Sequence, residues 1–364
     1  MKLYNNPDLL IDDDNKVEGI VGWKSPSNIA LVKYWGKYGN QLPLNPSISF
    51  TLSQAYTQTI IEYKKKKKDD KKIKLDFYFE GKLKPSFARR INKYFKSLLD
   101  IFPFLRQLKF EINSDNSFPH SSGIASSASS MSSLALCLCS IERDIFKLEQ
   151  TEEEFFKKAS YVARLGSGSA SRSIYPKAAI WGKMDEMENS SDFYSTPISP
   201  CLHDVFRKFH DDILIVSKKA KSISSSDGHS IMSNHRFKDG RILQANKRLH
   251  FLLKALKNGD LDRFGVIVEN EAYTLHGLMM SSEPSYILME PNTVQITKKV
   301  REFRKNTKTP VYFSLDAGPN VHLLYPDFAA KKVEEFIDSQ LVKYCKDKEY
   351  IKDYMGSGPK ELDF

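Results

Sequence analysis

A run of small residues at positions 119–130 could hold the phosphates of a nucleotide. Small side chains allow backbone N–H groups to close around an anion, hydroxyls add hydrogen-bond donors, and the helix that follows adds the partial positive charge of its N-terminus. The run lacks the glycine and lysine spacing of a P-loop. Because it leads directly into an apolar helical stripe, which a serine-rich linker would not do, we predict a phosphate-binding loop in an enzyme that uses ATP.

A second cluster of small residues, at positions 166–173, contains a single cation, Arg172. A guanidinium among hydroxyl groups suits two-pronged binding of a carboxylate or a phosphate. An exposed arginine in a turn fits the same stretch equally well, so this cluster alone does not decide between the two.

Cationic and aromatic side chains also end the strand-like segment 28–37. Lys33, Tyr34 and Lys37 at the end of a strand could bind a diphosphate. Tyr34 and Trp35 could instead be ordinary core residues, and composition alone favours that reading.

The last candidate is Asp316, which follows a strand-like run and precedes the turn formers Gly318 and Pro319. A carboxylate held by a rigid turn at the mouth of a cleft can accept or position a proton. An aspartate before such a turn is also common turn chemistry, so Asp316 by itself proves little.

The elements that must position these residues follow one another irregularly, which favours an α+β fold over regular βαβ units. Predicted strands cover 17–23, 28–34, 48–52, 58–63, 74–79, 108–113, 212–217 and 311–315, and predicted helices cover 87–99, 131–145, 152–165, 241–258, 261–275 and 294–306. Thr151 and the three glutamates after it predict a capped helix start. Two prolines in 195–200 predict no regular element there, so we expect two domains, over 1–200 and 201–364.

The composition is that of an ordinary globular chain of 364 residues, with 41% hydrophobic and 27% charged residues. No apolar run approaches the roughly 18 residues needed to span a membrane. The N-terminus has no basic region before an apolar core, so we expect no signal peptide and a cytoplasmic protein. Four cysteines without a CxxC pair predict free, mostly buried thiols rather than a zinc site or disulfides.

The net charge of +10 suits an anionic partner, either nucleic acid or a phosphorylated metabolite. The densest basic run, 64–72, lies between two strand-like runs and has no interleaved aromatic residues. We therefore predict a solvated hairpin turn at this run, and neither a nucleic-acid nor a membrane partner.

Together and in this order, the clusters resemble the mevalonate diphosphate decarboxylases of the GHMP kinase superfamily. The matching motifs are Asn-Ile-Ala at 28–30, Lys-Tyr-Trp-Gly-Lys at 33–37, Asn-Pro-Ser-Ile-Ser at 45–49, Phe-Pro at 118–119, Gly-Ile-Ala-Ser-Ser at 123–127, Ser-Gly-Ser-Ala-Ser-Arg at 167–172, Ser-Ser-Ser-Asp-Gly at 224–228 and Asp-Ala-Gly-Pro-Asn at 316–320. The resemblance runs from about residue 22 to residue 325. It is specific, because the second and the last of these motifs belong to this branch of the superfamily.

The resemblance implies a fold, a reaction and a site. The fold is the two-domain GHMP kinase fold, with an N-terminal domain like domain 2 of ribosomal protein S5, a ferredoxin-like C-terminal domain and the active site in the cleft between them. The reaction is the ATP-dependent decarboxylation of (R)-mevalonate 5-diphosphate to isopentenyl diphosphate, ADP, phosphate and carbon dioxide through phosphorylation of the C3 hydroxyl. Mg²⁺ would accompany ATP, and the chain would form a homodimer.

The implied catalytic residues are Asp316, Arg172, Lys33 and Ser127. The implied substrate-binding residues are Asn28, Tyr34, Trp35, Gly36, Lys37, Ser167, Gly168, Ser169, Ala170, Ser171, Arg172 and Ser226. The implied ATP-binding residues are Pro119, Ser121, Ser122, Gly123, Ile124, Ala125, Ser126 and Ser127, and no side chain is assigned as a metal ligand.

The sequence departs from the family pattern at two points. His120 stands in the loop where many relatives have threonine, and lysines occupy the region of strand 74–79 where relatives often place an arginine for the diphosphate. Two alternatives also stay open: a kinase of the same fold that stops after phosphorylating mevalonate or a mevalonate phosphate, and a non-catalytic binding protein. The joint presence of Asp316, Arg172 and Lys33 argues against both.

Overall fold

Two large β-sheets, a small two-stranded sheet and the surrounding helices make up the described residues of this computed structural model. The structure describes residues 3–12, 14–67, 70, 72–118, 126–219 and 223–364, without the side chains of residues 225 and 226. Most of the predicted phosphate-binding loop, 119–125 with His120, therefore lies outside the described residues.

The strands are β1 (Glu18–Val32), β2 (Lys37–Tyr38), β3 (Leu42–Pro43), β4 (Ser47–Lys65), β5 (Lys74–Phe79), β6 (Lys82–Leu83), β7 (Leu108–Asn116), β8 (Ala178–Trp181), β9 (Ser195–Pro197), β10 (Phe209–Leu214), β11 (Tyr312–Leu315), β12 (Val321–Pro326), β13 (Tyr350–Ile351) and β14 (Lys360–Glu361). The helices are α1 (Pro85–Ser97), α2 (Ser126–Phe146), α3 (Glu152–Gly166), α4 (Asp204–Arg207), α5 (Ser225–Met232), α6 (Lys238–Asn258), α7 (Leu261–Met280), α8 (Pro291–Thr307) and α9 (Ala330–Phe336). A 3₁₀ helix spans Gly168–Ile174. The helices predicted from periodicity are confirmed, with ends that shift by a few residues.

The first sheet has the strand order β14-β1-β4-β7-β5-β6, with β8 and β9 beside one end of β4. The sequence predicted four short strands in place of β1 and β4, but each of these is one long strand. Their antiparallel pairing shifts register between Pro26 and Asn28 and again between Ala30 and Val32. Such bulges let a strand continue past residues that break the alternating pattern, which is why the pattern predicted gaps.

The prediction of a hairpin turn at the lysine run is wrong. β7 lies between β4 and β5, antiparallel to β4 and parallel to β5. A parallel neighbour requires a crossover connection, and α1 lies in the segment that connects β5 to β7. The lysine run therefore connects β4 to β5, a strand that is separated from β4 by β7.

The prediction of no regular element at 195–200 is also wrong. Ser195–Pro197 forms β9, which pairs with β8 at the side of the first sheet. Proline is tolerated in such an edge strand, where its missing N–H removes no ladder bond. The domain boundary near residue 200 stays a prediction.

The start of α3 confirms the predicted cap. The Thr151 hydroxyl accepts the backbone N–H of Glu154, and the Glu154 carboxylate accepts the backbone N–H of Thr151. This reciprocal pair satisfies two N–H groups that a helix start otherwise leaves without partners.

The second sheet has the order β11-β12-β10-β13. A cluster of buried apolar residues joins it to the first sheet, because Ile29 and Phe50 of the long strands belong to the same cluster as Phe209 of β10 and Phe264 of α7. The end of β1 is thereby packed beside the second half of the chain, which brings the ends of β1 and β11 together.

Two further expectations concern the whole chain. All four cysteines are free and three are buried, Cys201 being exposed, which confirms the predicted thiols. Among the described residues, no helix is both long and apolar enough to cross a membrane.

Candidate active site

A buried lysine and a partly exposed aspartate meet where β1 and β11 end. Lys33 Nζ donates hydrogen bonds to Asp316 Oδ1 at 3.0 Å and to Ser314 Oγ at 2.8 Å. The Lys33 side chain is 2% exposed and that of Asp316 is 24% exposed. Burial lowers the pKa of Lys33, and the neighbouring carboxylate opposes that effect. The pair thus presents one carboxylate to the cavity with an ammonium group fixed behind it.

The backbone of Lys33 is held from two sides by side chains of α6 and α7. Glu271 Oε2 accepts the Lys33 N–H at 2.9 Å, and Arg241 Nη2 donates to the Lys33 carbonyl at 3.0 Å. The Glu271 carboxylate also forms ion pairs with Arg241 and Arg248, each at 2.7 Å. Burial would raise the pKa of Glu271, but the two guanidinium groups hold it below its ordinary value. The position of Lys33 therefore depends on a charge network from the other half of the chain.

Arg172 is a buried cation that is held by hydroxyl groups. It lies in the 3₁₀ helix and is 1% exposed, and it donates to Ser49 Oγ at 2.5 Å and to Ser47 Oγ at 2.6 Å. Within the described part of the chain, no carboxylate lies within ion-pair distance of it. Burial lowers its pKa to about 10, an effect that Asp316 partly offsets. Because an uncompensated buried charge costs several kcal/mol, the arrangement fits an anionic ligand.

Aromatic rings form one wall of the same cavity. The Tyr34 ring lies 4.6 Å from that of Trp181 and 4.2 Å from that of His229, measured between centroids. A Cβ at Gly168 would come within 2.5 Å of Trp181 and 2.9 Å of Tyr34. Only glycine leaves room here, so the small residue that the sequence placed before Arg172 allows the aromatic wall to form.

Lys37 lies at one end of the cavity, in the short β2–β3 hairpin. Gly36 before it has a φ of +97°, a conformation that favours glycine, and turns the chain out of β1. Lys37 Nζ donates to Gln41 Oε1 at 2.8 Å, and burial lowers its pKa. The hairpin thus directs a further cation into the cavity.

Serine hydroxyls cover the opposite side. Ser127, in the first turn of α2, is exposed, and its Oγ lies 3.5 Å from that of Ser167, which lies 3.5 Å from that of Ser169. The amide of Asn28 donates to the Ser169 carbonyl at 3.1 Å and to Ser173 Oγ at 2.7 Å. The start of α2 therefore borders the site with hydroxyls and a helix N-terminus.

These groups enclose a cavity of about 190 Å³, which adjoins a second one. The first is lined by Asn28, Ala30, Lys33, Tyr34, Trp35, Lys37, Gln41, Arg90, Ser127, Gly166, Ser167, Gly168, Ser169, Arg172, His229, Leu275, Asp316 and Ala317. The second, of about 520 Å³, has a wall of Phe77, Phe79 and Phe87 and shares Gln41, Arg90, Ser127 and Gly166 with the first. Ser127 thus lies at the junction between a polar cavity and a more apolar one.

Comparison with known proteins identifies the family. Residues 25–192 match the family model described as the diphosphomevalonate decarboxylase-like N-terminal domain, and residues 212–361 match that of the mevalonate 5-diphosphate decarboxylase C-terminal domain. The chain belongs to the mevalonate diphosphate decarboxylase family. This finding confirms the resemblance that the sequence motifs indicate.

Individual members of the family resemble the chain over most of its length. The diphosphomevalonate decarboxylase of Debaryomyces hansenii is 29% identical over 85% of this chain and 80% of its own length. The crystal structure of the mevalonate diphosphate decarboxylase of Staphylococcus aureus is 26% identical, with a TM-score of 0.81 over 95% of this chain and 99% of that one. A complex of the protein abbreviated MDDEF with MVAPP, AMPPCP and magnesium is 25% identical, with a TM-score of 0.78 over 96% and 100%. The two-domain GHMP kinase fold is thereby confirmed.

Most of the predicted site residues that the structure describes line the cavity of about 190 Å³. Ala170 and Ser171 do not line it. Ala170 belongs to the apolar core of the first sheet, and the hydroxyl of Ser171 donates to the Gly168 carbonyl and accepts from Ser195. Their roles as substrate-binding residues stay predictions, and their contacts here hold the 3₁₀ helix in place.

Some of the remaining predicted site residues lie within the described part of the chain and others do not. Ser126 opens α2 next to Ser127, whereas Pro119, Ser121, Ser122, Gly123, Ile124, Ala125 and the side chain of Ser226 lie outside the described part of the chain. Sequence reasoning missed Gln41, Arg90 and His229. His229 directly follows the matching motif at 224–228, so its position was a signal, but a single histidine carries no spacing by which its partners could be predicted.

Proposed function

We propose that this protein catalyses the ATP-dependent decarboxylation of mevalonate 5-diphosphate to isopentenyl diphosphate, with release of ADP, phosphate and carbon dioxide. The observation that carries the proposal is that the buried Arg172, which donates to the hydroxyls of Ser47 and Ser49, lines the same cavity as the Lys33–Asp316 pair. A kinase that stops after phosphoryl transfer has no use for a carboxylate clamp, and the relatives above are named decarboxylases.

The first step transfers the γ-phosphoryl group of ATP to the C3 hydroxyl. The hydroxyl oxygen forms a bond to phosphorus, the bond to the ADP oxygen breaks, and the hydroxyl proton passes to a base. Asp316 faces the cavity and is the carboxylate that takes or orients this proton. Lys33 behind it stabilises the ionised form of the carboxylate through their 3.0 Å ion pair.

The second step breaks two bonds in the phosphorylated intermediate. The C3–O bond breaks and phosphate leaves with the electron pair, and the C1–C2 bond breaks so that its electrons form the C2–C3 double bond while carbon dioxide departs. Asp316 stabilises the positive charge that develops at C3. Arg172 holds the C1 carboxylate so that the breaking C–C bond is aligned with the departing phosphate.

ATP fits the two adjoining cavities. The more apolar cavity, with its three phenylalanines, suits the adenosine, and the start of α2 with Ser126 and Ser127 suits the phosphates. Mg²⁺ is proposed to enter with ATP as part of the substrate, since this ion is commonly held by phosphates, waters and one or two carboxylates. The described residues contain no group of three His, Cys, Asp or Glu side chains that could form a metal cage of their own.

Tyr34 and Lys37 are proposed to bind the diphosphate of the substrate. Lys37 projects into the cavity from the β2–β3 hairpin, and the Tyr34 ring forms its aromatic wall. Ser167, Gly168 and Ser169 border the same space. We further propose a cytoplasmic homodimer as the working form of the enzyme, as the family resemblance implies.

A panel of substrates tests the proposal. Purified protein with ATP and magnesium is given mevalonate, mevalonate 5-phosphate or mevalonate 5-diphosphate, and ADP release is measured. We expect the highest kcat/KM with the diphosphate. Asp316→Ala should lower this rate by roughly a hundredfold or more, since general base and electrostatic contributions are each of that size, while ATP affinity stays near that of the wild type. Equal rates for wild type and variant would contradict the assignment of Asp316.

A further inference from the structure

One buried side chain in the cavity, His229, has no role in the chemistry above. It lies in α5, is 9% exposed and lines the cavity. Its ring is packed between those of Tyr34, at 4.2 Å, and Trp35, at 4.8 Å. The ring is thus held in one orientation against the aromatic wall.

The hydrogen bond of His229 to the backbone fixes which ring nitrogen carries the proton. Its Nδ1 accepts the N–H of Gly36 at 2.9 Å. A backbone N–H can donate only to a nitrogen without a proton, so the proton of the neutral ring is on Nε2. Among the described residues, nothing hydrogen-bonds to Nε2. Because the ring lines the cavity, a ligand bound there can supply the acceptor for this donor.

The electrostatic surroundings of His229 match an anionic ligand. Burial, then Lys37 and then Arg172, lower its pKa to about 3. The ring therefore stays neutral beside two cations, of which Lys37 acts more strongly. A neutral donor can bind a phosphoryl oxygen there without adding a further positive charge beside Lys37 and Arg172.

We propose that the Nε2–H of His229 donates a hydrogen bond to the phosphoryl end of the substrate, at the subsite of Tyr34 and Lys37, and helps to select that substrate. The proposal rests on the proposed function and adds a binding residue to it. The phosphoryl end is favoured over the carboxylate because His229 contacts the Tyr34 ring and the residue before Lys37, whereas Arg172 is fixed by Ser47 and Ser49.

Steady-state kinetics on two substitutions test this role. His229→Phe keeps a ring of similar size but has no donor, and His229→Gln places an amide N–H near the position of Nε2. Loss of a hydrogen bond to a charged group predicts a rise in the KM for mevalonate 5-diphosphate of roughly tenfold to a hundredfold in His229→Phe. The KM for ATP should not change, and His229→Gln should restore most of the substrate KM.

His235→Gln is the matched control. This histidine is 8% exposed and both of its ring nitrogens have protein partners, the Leu278 carbonyl at 3.0 Å and the Phe237 N–H at 3.0 Å. Its substitution should change thermal stability but neither KM. A substrate KM in His229→Phe equal to that of the wild type, or no recovery in His229→Gln, would overturn the proposal.

A measurement on the unmodified protein covers the case in which His229→Phe does not fold. ¹⁵N NMR of the histidine rings at neutral pH should show the Nε2–H tautomer for His229, with a change at Nε2 when mevalonate 5-diphosphate is added. The Nδ1–H tautomer, or no response to substrate, contradicts the inference. If the wild type makes no carbon dioxide, the proposed function fails and the inference fails with it. If the wild type is active and only the His229 results disagree, the inference alone is wrong.

Discussion

At the scale of single residues, the site is organised by how each charge is compensated. Lys33 has its counter-ion, Asp316, inside the protein, whereas Arg172 has only serine hydroxyls as described partners. A buried cation with hydroxyl partners retains much of its attraction for an incoming anion, because Asp316 compensates its charge only in part and burial limits screening by water. This difference in partners explains why Arg172 can bind an anionic ligand, whereas Lys33 holds Asp316 in place.

Arg172→Lys should weaken substrate binding although the charge is kept. An ammonium group cannot reproduce the planar two-pronged contact with a carboxylate, so we expect the KM for mevalonate 5-diphosphate to rise roughly tenfold or more and kcat to fall. Initial-rate kinetics with each substrate varied in turn would measure this. Arg143→Lys is a control at the edge of the first sheet, where Arg143 pairs with Glu361. Unchanged kinetics in Arg172→Lys would argue against a carboxylate clamp.

His229 should make the protein sensitive to acid. Its pKa is lowered from 6.5 to about 3 in the folded protein, so below pH 6.5 the unfolded chain binds a proton that the folded protein refuses. Stability is therefore full above pH 6.5 and is lost as the pH falls towards 3, by about 3 kcal/mol at pH 4.5. His229→Gln has no imidazole at this position, so it lacks this pH-dependent loss of stability.

Urea unfolding of the wild type and His229→Gln at pH 8 and pH 4.5 measures the effect. All other titrating groups are common to both proteins, so the difference between them isolates His229. We expect the loss of unfolding free energy between the two pH values to be smaller in the variant. Equal losses would mean that the ring is protonated in the folded protein.

At the scale of elements, α6 and α7 hold the end of β1 through Glu271. This carboxylate joins Arg241, Arg248 and the backbone of Lys33 in one buried network. Because the residues involved are far apart in sequence, the network aligns Lys33 with Asp316 only when both halves of the chain are folded.

Glu271→Gln should affect stability and turnover together. Removing one partner of a buried ion pair costs about 3 to 5 kcal/mol, and Lys33 loses the charged acceptor of its backbone N–H. Glu269→Gln is the matched control, since Glu269 lies on the same helix and pairs with Arg301 and Arg304 away from the site. We expect urea unfolding to show destabilisation in both variants and kcat to fall markedly in Glu271→Gln alone. A similar fall in Glu269→Gln would mean that lost stability explains both.

The elements also show what the sequence can and cannot predict. Periodicity predicted α2, α3, α6, α7 and α8, because an apolar stripe is visible within a helix. It did not predict that β7 lies between β4 and β5, since strand order is decided by packing between distant segments. The same distinction between local patterns and distant contacts applies to the site. Motifs predicted Lys33, Arg172 and Asp316, whereas the roles of Glu271 and His229 depend on partners more than 190 positions away.

At the scale of the whole molecule, the end of the chain returns to the first sheet. Asp353 accepts backbone N–H groups of Ser53, Gln54 and Ala55, and β14 pairs with β1. The C-terminal segment therefore ties the second half of the chain to the first on the side of β4 and β1.

Gly356→Ala should loosen this connection. A Cβ at Gly356 would lie 2.1 Å from the Leu52 carbonyl oxygen, which is backbone and cannot turn aside, so we expect a loss of about 1 to 3 kcal/mol in unfolding free energy. Gly240→Ala is the control with opposite sign. It lies in α6 with no atom within 4 Å of the added Cβ, and alanine there should stabilise by up to about 1 kcal/mol. Thermal unfolding of both variants measures the contrast, and equal shifts would contradict it.

The most direct test of the proposed function is the ratio of products. Wild-type protein is incubated with ATP, magnesium and mevalonate 5-diphosphate labelled at C1, and labelled carbon dioxide, phosphate and ADP are counted in the same quenched samples. The two-step chemistry predicts one carbon dioxide and one phosphate for each ADP at all times after the first turnover. ADP formed without carbon dioxide would contradict the account and identify the protein as a kinase of this fold.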